Sequence, residues 1–309
     1  MPTSYDQPEQ KMNDNDAADQ TARVLRILPL RLTLQSRSLS LSFFSGPLWR
    51  SGFGLALKTH FPGIYDLLFA DQARLGRLYA LQPPFRAVHS EDVFDLGLSL
   101  FGPACDYAVA CTQAIAHLGE MGLGSKKGKY ILVEASVAGG GTPPFFTIAS
   151  GLIEQPAAVP PQSWLEPFPG NVRELHLDLL TPLRIKKDNE PLLAPPEFSL
   201  IVRRLHGRMA QLCEAAGERV PISRSVSNKQ IELATSIRLH DSKLSHTEVK
   251  RRSTRTGETM YIEGMTGSLC FRGDLAPFIG LFSLGSILNL GGKSAFGFGC
   301  FSIRITPES

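Results

Sequence analysis

The sequence predicts an α+β protein built from two tandem ferredoxin-like domains with antiparallel sheets, and three observations carry that prediction. The apolar patterns of the first half run strand, helix, strand, helix, strand, and the same order returns in the second half. A loop rich in glycine and carrying lysine precedes the last strand of each half, in "GLGSKKGKYILVEA" at 122–135 and "GGKSAFGFGCFSIR" at 291–304. A stretch rich in Gly and Pro, 139–169, separates the two. The expected division is an acidic tail at 1–22, an N-terminal domain at 23–165 and a C-terminal domain at 166–309.

Each element has its own reason. Residues 1–22 are polar, acidic and aperiodic, the composition of a disordered tail. "RVLRILPLRLTLQSRSLSL" (23–41) alternates as a strand does, and Pro29 predicts an edge position or a bulge. "GPLWRSGFGLALKTHF" (46–61) sets Leu48, Phe53, Leu57 and Phe61 on one helical face, with Pro62-Gly63 as its stop. "DVFDLGLSLFG" is the next strand, "CDYAVACTQAIAHLGEMG" an amphipathic helix closed by Gly122, and "YILVEASV" the strand after the lysine loop. In the second half "VRELHLDLLTPLRI" is a strand and "PPEFSLIVRRLHGRMAQLCEAAG" a helix. "SHTEVKRRSTRTGETMYIEGMTGSLCFRG" is a basic strand pair, "DLAPFIGLFSLGSILNL" a helix, and "CFSIRI" the last strand.

Composition excludes more than it selects. The 309 residues suffice for two cores, and 20% charged with 43% hydrophobic residues is the balance of a soluble globular protein. The tail holds Asp6, Glu9, Asp14, Asp16 and Asp19 against Lys11, so the remainder carries +7 where the whole chain carries +3. A moderately basic body is compatible with a polyanionic partner. Five scattered cysteines without a C-x-x-C pair argue for buried thiols in a reducing cytoplasm and against a zinc site. The longest uncharged stretch, Leu275 to Gly292, is interrupted by Pro277, Gly280, Gly285 and Asn289, so it reads as a buried helix and turn rather than a membrane span.

The terminal loop invites two readings that fail. Gly292-Lys293-Ser294 would end a phosphate-binding P-loop only with a glycine at 287, which is Ile. A flexible linker would not run into an alternating apolar strand. Gly291, Gly292, Gly297 and Gly299 therefore belong to a folded turn, and turns of this kind also expose backbone N–H groups to anions.

Four segments in order, "LWRSGFGLALK", "LSLFGPACDYAVACTQAIAHLGEMGLGSKKGKYILVEA", "LHLDLLTPLRIKKD" and "MTGSLCFRGDLAPFIGLFSLGSILNLGGKSAFGFGCF", resemble the CRISPR-associated repeat-processing endoribonucleases of the RAMP superfamily. The resemblance covers most of the chain from about Arg23. It implies two RRM-like domains with RNA on a basic surface near the terminal loop. It also implies metal-independent cleavage of precursor CRISPR RNA, with the ribose 2′-OH attacking the phosphate to leave a 2′,3′-cyclic phosphate and a 5′-OH. CRISPR repeat RNA, as precursor and mature crRNA, is the implied partner, together with other subunits of an effector complex; no cofactor, DNA or membrane is implied. A noncatalytic RAMP subunit that binds crRNA is the alternative, since related folds serve both roles.

The implied chemistry needs a base for the 2′-hydroxyl, an acid for the leaving oxygen and positive charge at the phosphorane. Family members often place a catalytic histidine in or near the first helix. Here that helix offers Arg50, Lys58 and His60, with His60 as general acid or base, Lys58 at the phosphate and His89 as second candidate. A cation at a helix C-terminus has a structural explanation too. His117 and His176 read as structural, His206 as part of a basic helix face, and His240 and His246 as flanking the strand pair. The RNA-binding candidates are Lys250, Arg251, Arg252 and Arg255 on that pair, Lys126, Lys127 and Lys129 in the first loop, Arg50, and Gly291, Gly292, Lys293 and Ser294. A solvated basic hairpin is the plainer meaning of such runs.

Overall fold

The computed structural model describes residues 24–69, 76–139, 141–152, 154–159, 165, 170–187, 189–252 and 259–307. The acidic tail, Arg255 and most of the expected boundary around 165 lie outside the described residues.

The first half builds β1 (Ile27–Ser36), α1 (Gly46–His60), α2 (Pro62–Phe69), β2 (Tyr79–Gln82), β3 (Val93–Phe101), α3 (Ala108–Met121), β4 (Tyr130–Val137) and a short β5–β6 hairpin (Phe146–Thr147, Gly151–Leu152). Its sheet runs β2-β3-β1-β4-β5-β6, every pair antiparallel. Leu28, Leu30, Leu32 and Leu34 point from β1 into a core shared with Trp49, Phe53 and Leu57 of α1 and Ile115 and Leu118 of α3.

One expectation for this half is corrected and another extended. β1 is central, not an edge strand: Pro29 survives there because its carbonyl accepts from Ala138 N, so its nitrogen faces β4 just where that ladder ends, at Leu30–Val137. Pro62-Gly63 does end α1, but Pro62 also opens α2, since proline's fixed φ and lost N–H suit a first helical turn.

The second half builds β7 (Val172–Leu183), a β8–β9 hairpin (Lys186–Lys187, Glu190–Pro191), α4 (Phe198–Ala216), α5 (Arg224–Leu233), β10 (Arg238–Arg252), β11 (Thr259–Arg272), α6 (Ile279–Leu288) and β12 (Phe301–Pro307). The sheet order β10-β11-β7-β12 repeats β2-β3-β1-β4 position by position. Its core gathers Leu175 and Leu177 of β7, Phe198, Ile201 and Leu205 of α4, and Phe282 of α6. α5 went unforeseen because "RSVSNKQIEL" buries no residue and so has no apolar stripe; Ser223 caps it by accepting from Val226 N.

The halves meet along a seam. Met209, Leu212 and Cys213 of α4 and Leu284 and Leu288 of α6 join the first core. Asn289 Nδ2 donates to Leu81 O at 3.0 Å and Gln82 Nε2 to Ser286 O at 2.9 Å. Arg26 is held by Glu218 at 3.0 Å and Asp106 at 2.7 Å. All five cysteines are buried free thiols, and burial pushes Cys105, Cys111 and Cys300 up to about 12. No helix among the described residues is long and apolar enough to cross a membrane.

Candidate nucleic-acid interface and active site

α1 and α3 pack side by side because Gly52 has no side chain: a Cβ there would stand 2.7 Å from Leu118 Cδ2. Their meeting brings together two rings the sequence keeps 57 positions apart. His60, exposed on the last turn of α1, stacks on His117 of α3 with ring centroids 4.3 Å apart and planes inclined by 20°. Phe61 flanks both rings, at 6.4 Å and 6.5 Å. His117 Nδ1 lies 3.6 Å from a Glu120 carboxylate oxygen, and the Glu120 carbonyl accepts from Lys129 Nζ. Lys129 thus stands beside the histidine pair, on the same exposed turn as Lys126 and Lys127. Lys58 Nζ sits 5.9 Å from the Tyr65 ring centroid.

The pairing of His117 with His60 is a contact that the sequence does not show. A helical histidine one turn before a closing glycine carries no mark of its partner; only the crossing of α1 over α3 supplies it. His89 is placed apart. Its backbone N donates to Asp92 Oδ2 at 2.8 Å in an exposed turn, and no contact joins it to His60 or His117 among the described residues.

The connection from Asn289 to Cys300 packs inward. At Gly299 (φ +72°) a Cβ would fall 1.8 Å from Leu290 O, and at Gly291 (φ +79°) 2.4 Å from Arg184 O. Both are positions that only glycine can hold. Gly292 N donates to Arg184 O at 2.9 Å. Lys293 is exposed with φ 70°, its Nζ 5.8 Å from the Phe296 ring, and buried Ser294 starts a single 3-10 turn, Ser294–Phe296. Arg50 is half-buried between two rings, its guanidinium carbon 4.3 Å from the Phe296 centroid and 5.2 Å from that of Phe69.

β10 and β11 run past their neighbour. β11 pairs with β7 over 265–272, while among the described residues 259–264 pairs with β10 alone, leaving a two-stranded ribbon. Val249 and Ile262 anchor it on Phe44, Phe296 and Phe298. Lys250 is exposed on it opposite Tyr261, and Arg251 and Arg252 follow opposite Met260 and Thr259.

Of the remaining histidines, His206 is buried, which draws its ring below the usual range. His176 Nε2 is 2.7 Å from Glu174 Oε1. Glu174, His176 and Cys270 bring three potential metal-ligand atoms within 4.8 Å of one another. The Glu174 carboxylate is already engaged there by Arg272 at 2.7 Å, an ion pair that holds it below the ordinary carboxylate range and that a metal ion would have to displace.

Comparison with known proteins agrees with this architecture. Residues 177–301 match the family model described as CRISPR-associated endoribonuclease Cas6. A Cas6 product complex shares the fold with a TM-score of 0.61 at 16% identity, over 90% of this chain and 99% of that one. Thermus thermophilus Cas6 gives 0.60 at 14%, over 91% and 99%. A partial Cas6-RT-Cas1–Cas2 complex gives 0.60 at 12%, over 92% of this chain and 47% of that one. No curated protein matches the sequence. The family match lies within the second half, and the fold is shared across both halves.

Proposed function

We propose that the chain is a cytoplasmic endoribonuclease that cuts precursor CRISPR RNA within its repeats and binds the crRNA it produces, acting with other CRISPR subunits. The stacked, solvent-facing His60 and His117 carry the reading. Cleavage through the 2′-hydroxyl needs one group to take a proton and another to give one, and two imidazoles are the side chains suited to both near neutral pH.

His60 removes the 2′-OH proton as the 2′-oxygen forms its bond to phosphorus. His117, with the Glu120 carboxylate beside its Nδ1, gives a proton to the departing 5′-oxygen as the P–O5′ bond breaks. The products are a 2′,3′-cyclic phosphate and a 5′-OH. Charge on the phosphorane is met by Lys129 and its neighbours Lys126 and Lys127, with Lys58 close by on α1. Both proton transfers are assigned to side chains, so the scheme needs no metal ion. The 15 residues of α1 span about 22 Å, and RNA touching Lys250 on the ribbon and the histidines at the far end of α1 lies along that helix. Gly291, Ser294 and Arg50 serve packing in this reading, while Gly292 and Lys293 face solvent beside the RNA path.

The test is incubation of the purified protein with labelled repeat RNA from its own genome in excess EDTA, followed by analysis of the ends. A 2′,3′-cyclic phosphate paired with a 5′-OH is expected. Tight binding with no cut would replace the nuclease reading with the crRNA-binding subunit.

A further inference from the structure

α4 carries Arg203, Arg204, Gly207, Arg208 and Gln211 at spacings of three and four, which share one helix face. That face, Arg184 and Lys186 after β7, and Gly291-Gly292 enclose a cavity of about 240 Å³. Five lining side chains are cationic, and none of the described lining residues is acidic. Arg208 is only 7% exposed. Its Nε makes a long bond of 3.4 Å to Leu288 O, its guanidinium carbon lies 5.9 Å from the Phe101 ring centroid, and Nη2 meets no acceptor among the described residues. Arg184 Nε is likewise buried without a partner. Burial draws Arg208 down to about 10, with no carboxylate among the described residues to oppose it.

A guanidinium has five donors and no acceptor, and a buried charge needs an opposite one. Among the described residues none supplies one to Arg208. Gly207 points the same way. It occupies the middle of a 19-residue helix, where glycine is a poor choice, yet a Cβ there would meet nothing within 4 Å. Close packing does not demand it; the open cavity beside it does benefit.

We propose that this cavity is a phosphate-binding site in which Arg208 and Arg184 bind the oxyanion and Lys186, Arg203 and Arg204 guard the rim. Resting on the RNA-processing reading above, we assign its ligand as a phosphodiester of the bound RNA. Fork-shaped guanidinium donors match phosphate oxygens in geometry as well as charge.

The experiment compares wild type, Arg208→Gln and Gly207→Leu as full chains. Thermal unfolding is followed in inorganic phosphate and in chloride at equal ionic strength, and repeat-RNA affinity is followed against salt. Gly207→Leu keeps every cation, adds a better helix former and fills the space, so it reports even if Arg208→Gln does not fold. Phosphate should raise the wild-type Tm above its chloride value, and Gly207→Leu should abolish that rise. RNA affinity should fall roughly tenfold in the variant, the loss of one charge-assisted contact, and the salt slope should become shallower by about 0.7 to 0.9. Loss of the phosphate effect with RNA affinity unchanged would overturn the RNA assignment and leave a site for free phosphate. No phosphate effect in the wild type, or one that survives in Gly207→Leu, would overturn the site itself. Cleavage is scored in the same RNA samples. Because the cavity shares no residue with the His60–His117 pair, loss of the nuclease reading and loss of the phosphate site give different results.

Discussion

The two halves share a strand order but spend the same connection differently. Before β4, residues 122–129 form a turn that presents Lys126, Lys127 and Lys129 to solvent beside His117. Before β12, residues 289–300 turn inward and bind β2 through Asn289 and the turn after β7 through Gly292. A repeated fold therefore offers two equivalent loops. Here one presents its lysines to solvent and the other locks the halves together.

The sharpest way to break this contrast is to give each loop one methyl group. Gly299→Ala places a Cβ 1.8 Å from Leu290 O at positive φ, and chemical denaturation should show a loss of about 3–5 kcal/mol. Gly124→Ala in the first loop also has positive φ, but its Cβ would meet Leu48 at an ordinary 3.5 Å. About 1–2 kcal/mol is expected there. Equal losses would erase the distinction.

Arg50 sharpens the comparison from the helix side. Arg50→Leu removes the cation between Phe69 and Phe296, and should cost about 1–2 kcal/mol by denaturation. RNA affinity at matched folded fraction should hold. A loss of affinity with stability intact would return Arg50 to the RNA surface.

The smallest effect on the fold is expected from the lysine turn. Lys126→Ala with Lys127→Ala should leave stability within about 0.5 kcal/mol of wild type. The slope of log affinity against log salt should become shallower by about 1.4 to 1.8 if each lysine meets one phosphate. An unchanged slope would leave the turn a solvated loop.

Much of the architecture was legible because its signals are local. The alternation through Leu28, Leu30, Leu32 and Leu34 and the apolar face of α4 each fit within one element, and the returning order of elements exposed the duplication. Pro29 misled because a proline's cost depends on which neighbour its nitrogen faces, and strand order is not local. α5 was hidden because a helix that buries nothing shows no period. The candidate site was half legible: His60 and the lysine turn stand out by residue type, whereas His117 acquires its meaning only where α1 crosses α3. Arg50 and Ser294 are RNA candidates by type and loop, whereas the packing of Arg50 on Phe296 and the burial of Ser294 are tertiary facts.

The most direct test of the central claim is the single-turnover cleavage rate of repeat RNA by wild type, His60→Ala, His117→Ala and the double variant, with binding measured alongside. Each single substitution should slow cleavage by about 10² to 10⁴ with affinity retained, and the double should be little slower than the worse single, as for groups acting as a unit. Wild-type cleavage by His117→Ala would contradict the account, because the pairing of those two rings is its foundation.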